Sequence, residues 1–267
     1  MRIRSSILAC VLAAAGPARA APDDATVDTL TLPRHRVVLD VFLEANLSRG
    51  QAFAPFSIAP DVWLGATDRL TFGLVHSTAG RTGFIDGYGD SLCLTGTANG
   101  CPRPYNNVGV DARYTLSGGS FGWALDGGLF FQNLSPVQLA VKLGALGRWR
   151  AGRFSLELQP AFFVGLTNRT ETIMGVTTTT NGDVFSLPVT GALWIARRVA
   201  LAMQLGARIP IEDTANTYAV SLSLGGHVLA TDKLDITAAV SFTRLNGSAT
   251  TDTFDGRALV VGGVYAF

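Results

Sequence analysis

The strongest constraint on this chain is a period of two. Past residue 35, apolar and polar or small side chains alternate through about twelve segments, the signature of strands with two unlike faces. The segments are Val37–Leu47, Phe56–Ala66, Leu70–Ser77, Val108–Leu116, Phe121–Phe131 and Leu139–Trp149 in the first half. Phe154–Leu166, Phe185–Ile195, Val199–Ile209, Tyr218–Val228, Leu234–Phe242 and Leu259–Phe267 follow. Val108–Leu116 shows the pattern most plainly: Val108, Val110, Ala112 and Tyr114 oppose Gly109, Asp111, Arg113 and Thr115. Almost nothing reads as helix. A tilted strand needs about 9 to 11 residues to cross a bilayer core, and most of these segments have that length.

The connections sort into two kinds. Thr67–Arg69, Ser117–Ser120, Arg150–Arg153, Ala196–Arg198 and Ala230–Lys233 are tight, polar turns. Between them lie longer links, residues 48–55, 78–107, 132–138, 167–184, 210–217 and 243–256. Short and long therefore alternate without exception, as in barrels with tight turns at one membrane face and loops at the other. The apolar face carries the large side chains, whereas the other is small or polar and poor in the Lys and Glu of a solvated exterior. One face of side chains cannot fill so many strands, since about eight already suffice. The expected fold is all-β: an antiparallel up-and-down transmembrane barrel of about twelve strands over residues 36–267.

Both ends agree. Leu259, Val261, Gly263, Tyr265 and Phe267 share one apolar face, a hazard on a free edge in water but apt for a strand facing lipid. Gly262, Tyr265 and the final Phe267 resemble the C-terminal insertion signal of bacterial outer-membrane β-barrels; Val260 stands where a polar residue is usual. At the other end, Arg2 and Arg4, an apolar stretch Ile7–Ala15 and Ala18-Arg19-Ala20 read as a signal peptide cleaved after residue 20. Residues 21–35 then form an N-terminal periplasmic segment. Cleavage would change the formal net charge from +1 to about −2 and leave no polybasic run, which argues against nucleic acid as partner. Over its mature length the chain resembles the outer-membrane β-barrel superfamily in pattern. The resemblance implies the outer membrane of a Gram-negative bacterium, contact with its lipid, assembly by the barrel-insertion machinery through the last strand, and a monomer.

Parity assigns a lumen. Asp40, Glu44, Asp61, Asp111, Asp126, Glu157 and Asp235 face inward, with Arg113, Lys142, Arg148 and Arg208, and with Gln159 and Gln204. Such charges either line a water-filled constriction or pair and plug the tube. The acid excess predicts a cation-preferring passage, hence a narrow porin-like channel for small solutes or ions. The alternatives are a closed adhesive barrel whose loops bind a surface partner, and a lipid-modifying enzyme. The last needs a nucleophile beside a base. His35 lies in the N-terminal segment, His227 faces the lumen near a tight turn, and His76 points outward while Ser77 points the other way, so no catalytic pair emerges. Cys10 leaves with the signal peptide, and Cys93 and Cys101 are expected to form one disulfide stapling the longest loop. Two thiols with no further ligand nearby offer no metal site, and no cofactor motif is present.

Overall fold

The computed structural model describes residues 30–267 except 86, 88–90, 213–217 and 248–255. The expected signal peptide and most of the segment 21–35 lie outside the described residues. The strands in chain order are β1 (Val37–Asn46), β2 (Phe56–Thr67), β3 (Leu70–Val75), β4 (Leu92–Cys93), β5 (Val108–Ser117), β6 (Phe121–Leu134), β7 (Val137–Ala151) and β8 (Phe154–Leu158). They continue as β9 (Ala161–Gly165), β10 (Thr170–Ile173), β11 (Val176–Thr179), β12 (Val184–Ala196), β13 (Val199–Pro210), β14 (Ala219–Leu229), β15 (Leu234–Gly247) and β16 (Arg257–Ala266). Each wall strand pairs antiparallel with its sequence neighbour, and β1 pairs with both β2 and β16, which closes the sheet. β8 and β9 are two halves of one wall strand and β4 is a short patch, so the wall is a closed barrel of 12 strands. Closure removes the free edges that an apolar sheet would otherwise present.

Along most strands the even spacing of apolar residues puts them outside. Val62, Leu64, Phe72, Leu74, Val110, Leu125, Leu129, Leu201 and Leu205 are all exposed on the outer surface, while Ser57, Asp61, Thr71, Asp111, Asp126 and Gln204 are buried within. Aromatic pairs ring the end that carries the tight turns: Tyr265 with Phe267 at 5.0 Å, Phe121 with Trp123 at 5.4 Å and Trp149 with Phe154 at 5.9 Å. Phe162 with Phe185, at 4.8 Å, lies towards the opposite, loop end. This is the arrangement of aromatic girdles about an apolar band.

Four features depart from the sequence reading. The β6–β7 link is not long: β6 and β7 run to 14 and 15 residues and join through Ser135-Pro136 alone. Residues counted as loop keep pairing, Asn133 with Gln138 and Leu134 with Val137, so the hairpin extends beyond the band. The seventh segment is interrupted at Gln159-Pro160, since Pro160 has no N–H to donate to the ladder; Pro188 of β12, which also lacks one, accepts the Gln159 amide at 3.1 Å. Strand β3 is only six residues long. Beyond it the chain leaves the wall, and β4 fills the space beside β2, with Ser57 opposite Cys93 and Ile58 opposite Leu92. The Cys93–Cys101 disulfide and a Leu92–Tyr105 bridge hold that patch in place.

The fourth departure is in the lumen, which is not empty. Residues 30–35 tuck into the turn end. Leu30 packs with Ala124 and Leu146, and Leu32 joins Trp63, Val38 and Phe130. The Leu32 amide donates to Thr71 Oγ1 at 2.7 Å and the His35 amide to the Gly65 carbonyl at 2.8 Å. From the other end the chain after β3 turns inward through a short helix α1 (Thr78–Thr82). Part of the link expected as an outer loop, residues 78–85, instead occupies the bore. A wide barrel leaves volume that its own inner side chains cannot fill, and the chain supplies the rest.

Candidate functional site in the lumen

The inward segment is fixed at two opposite walls. On the β2 side, Asp61 accepts the His76 amide at 2.7 Å, the Ser77 amide at 2.9 Å and the Ser77 hydroxyl. Ser77 in turn caps α1 by accepting the Gly80 amide at 2.8 Å. On the far side Gln204 of β13 donates to the Gly83 carbonyl at 2.8 Å and accepts the Ile85 amide at 2.9 Å; Ser223 of β14 donates to the Ile85 carbonyl at 3.2 Å. Phe84 is wholly buried, seated on Gly206 and stacked under Arg208, whose guanidinium is 4.4 Å from the ring centre. A Cβ at position 206 would come within 1.8 Å of the Phe84 ring, so only glycine allows this approach. Gly83, at φ +80°, ends α1 in a conformation that other residues seldom adopt.

Below this crossing, the wall carries two charged groups. In the first, Lys142 Nζ lies 3.0 Å from Asp111 Oδ2 and 2.6 Å from Asp126 Oδ2, with all three side chains fully buried. Gln159 donates to Asp126 Oδ2 at 2.9 Å. The Arg113 Nε stands 3.8 Å from Asp126 and 3.9 Å from Asp111, and its guanidinium lies 4.1 Å over the Trp63 ring. The second group is acidic. Asp61, Asp40 and Asp235 follow one another around the wall, Asp40 being opposite both Asp61 and Val264, and Val264 opposite Asp235. Asp235 lies 3.5 Å from His227 Nδ1, which also contacts Thr237 Oγ1 at 2.8 Å. Elsewhere Glu44 accepts from Ser57 Oγ at 3.1 Å, and Arg148 is directly opposite Glu157 on β8.

Of the residues assigned to the lumen by parity, Glu44, Asp61, Asp111, Asp126, Lys142, Gln159, Gln204 and Asp235 are buried, Asp40, Arg113, Arg148 and Glu157 border the cavity, and Arg208 lies over Phe84; they fall into separate groups rather than one ring. The sequence reading does not single out Trp63, Trp194, Gly206 or Phe84. The tryptophans do share the inner parity of their strands, and a bulky residue among small ones was the available signal. Phe84 had none, because its position depends on a loop reversing into the bore. His76 gives no catalytic pair: its Nδ1–H donates to the Pro60 carbonyl, and its Nε2 accepts from the Tyr105 hydroxyl at 2.9 Å. Ser77 is committed to Asp61. Gly262 packs against the Phe42 ring inside the wall, whereas Tyr265 and Phe267 face outward. The Phe267 amide donates to the Val37 carbonyl at 3.0 Å, so the chain end is zipped to β1.

A closed antiparallel barrel with an apolar, aromatic-girdled exterior and a charged interior is a membrane-spanning β-barrel with an internal chamber. No protein-family model and no curated protein sequence matches the chain. Solved structures do resemble it in fold. The NanC porin superposes with a TM-score of 0.59 at 10% identity over 85% of this chain and 98% of the porin. An outer membrane channel from Pseudomonas putida F1 gives 0.57 at 14% identity, over 89% and 97%. The KdgM porin, solved in complex with disordered oligogalacturonate, gives 0.50 at 10% identity, over 86% and 99%. The shared property is the bacterial outer-membrane porin fold.

Proposed function

We propose that the protein is a narrow, porin-like passive channel of the outer membrane, exported with loss of its first 20 residues and constricted by residues 76–85. The observation that carries this reading is the cavity of ≈ 250 Å³ beneath that segment, where Asp40, Arg113, Arg148, Glu157 and Gln159 of the inner wall stand among apolar neighbours such as Phe42, Trp63 and Ile85. A structural plug would be expected to fill such space with apolar packing. The porin fold of the neighbouring structures supports the same reading. In this orientation the tight turns and both termini are periplasmic, the longer loops face outward, and the barrel is a monomer inserted through its last strand. The commitments of His76 and Ser77 speak for a channel rather than a hydrolase.

The buried Lys142 group leaves the acidic row Asp40, Asp61 and Asp235 as the main unbalanced charge, which favours a mild preference for cations over anions. Conductance of the refolded mature chain in a planar bilayer tests the proposal, and the reversal potential across a salt gradient tests the selectivity. Open-channel steps with cation preference are expected, the preference fading as salt rises. Silence across all voltages would favour the second reading, a closed adhesive barrel. The specific observation on its side is the mutual pairing of Lys142, Asp111 and Asp126, which spends three lumen charges on structure.

A further inference from the structure

The cavity under the inward segment carries charges of both signs, with Glu157 opposite Arg148 among them. Asp40 of β1 lines it on one side, and its Oδ1 meets no hydrogen-bond donor. Arg113 of β5 and Arg148 of β7 line it on another. Trp194 of β12 is 94% buried by its own wall, since only 6% of its surface is accessible, yet its indole N–H has no acceptor. It borders the same cavity. A buried donor left without a partner is costly and calls for an occupant that accepts. Carboxylate, guanidinium and an idle N–H around one chamber suit a small molecule bearing both signs.

We infer that this chamber is a binding site for zwitterionic solutes, those carrying an ammonium and a carboxylate. The inference rests on the channel reading for its physiological meaning, but binding itself does not require passage. The ammonium is held by Asp40, with the rest of the acidic row behind it. The carboxylate faces Arg113, whose guanidinium is already held flat on Trp63 and so loses little freedom on binding. Trp194 donates to an oxygen of the solute. At ≈ 250 Å³ the chamber admits a molecule of amino-acid size.

The test uses 5-aminopentanoate and its two halves, pentanoate and pentylamine, on the full mature barrel folded in detergent. Titration calorimetry, supported by tryptophan fluorescence, is expected to give at least tenfold tighter binding for the zwitterion than for either half. Asp40→Asn should reduce that advantage about tenfold, and Trp194→Phe, which removes only the N–H, by a few-fold. Should either variant fail to fold, the other still reports. Equal binding of the three probes, no binding of any, or undiminished zwitterion binding in both folded variants overturns the inference. Liposome swelling separates this from the channel reading. Binding without swelling for any solute would leave the site standing and remove the channel. Swelling with equal rates and no zwitterion binding would do the reverse.

Discussion

At the scale of single residues, Lys142 carries the largest local consequence. It is the shared cation of two buried carboxylates, so Lys142→Met leaves Asp111 and Asp126 facing each other with the more distant Arg113 as cation and Gln159 as donor. Loss of about 3–5 kcal/mol is expected in urea unfolding, the usual cost of orphaning a buried charge. Neutralising the carboxylates as well, with Asp111→Asn and Asp126→Asn, should recover most of it, because the group is worth little against neutral residues of the same shape. Recovery of less than half would mean that the cluster does more than pair with itself. Phe267 is the second residue to test. Its ring completes the outer girdle with Tyr265, so Phe267→Ala should lower the fraction of protein that assembles in membranes, scored by heat-modifiable migration.

Among the elements, the inward segment is the most informative. Gly206→Val would evict Phe84 from its seat without touching the outer face of β13, so conductance should rise at least twofold while the barrel stays folded. An unchanged conductance would separate the segment from the passage. The hairpin of β10 and β11 is held differently. Arg169 bridges Asp183 at 2.8 Å and Glu212, tying this outer hairpin to the end of β13. The guanidinium beside Asp183 holds its carboxyl below the ordinary range. A folded value under the unfolded one means that the tie contributes above about pH 4 and weakens as pH falls through the folded value. Protease cutting near Met174, almost fully exposed at the tip, should therefore accelerate in acid relative to cutting elsewhere. The disulfide belongs to this scale too. Cys93 and Cys101 should resist alkylation until reduced, and reduction should loosen the patch beside β2 rather than unfold the wall.

For the whole molecule, orientation is the expectation to check. Tags at Ala98 or Met174 should be labelled on intact cells, and tags at Asp68 or Asp232 should not. A tag at Gly83, though it lies in the longest link, should also stay hidden because that part of the link is inside the bore. Much of this architecture was legible in the sequence. Strand count, inner and outer faces, and the tight turns follow from the period of two and from turn chemistry, which act over a few neighbouring residues. The interruption at Pro160 could have been read from the proline itself, and so could the inner parity of Trp63 and Trp194. What local pattern could not decide is what fills the bore. The seating of Phe84 on Gly206, of Leu30 against Ala124, and of Gln204 on the backbone of Gly83 joins residues far apart in the chain. So does the grouping of Lys142 with Asp111 and Asp126. Each depends on how far apart the closed walls stand and which side chains meet at one height. Alternation fixes which way a residue points; only closure of the barrel fixes what it meets there.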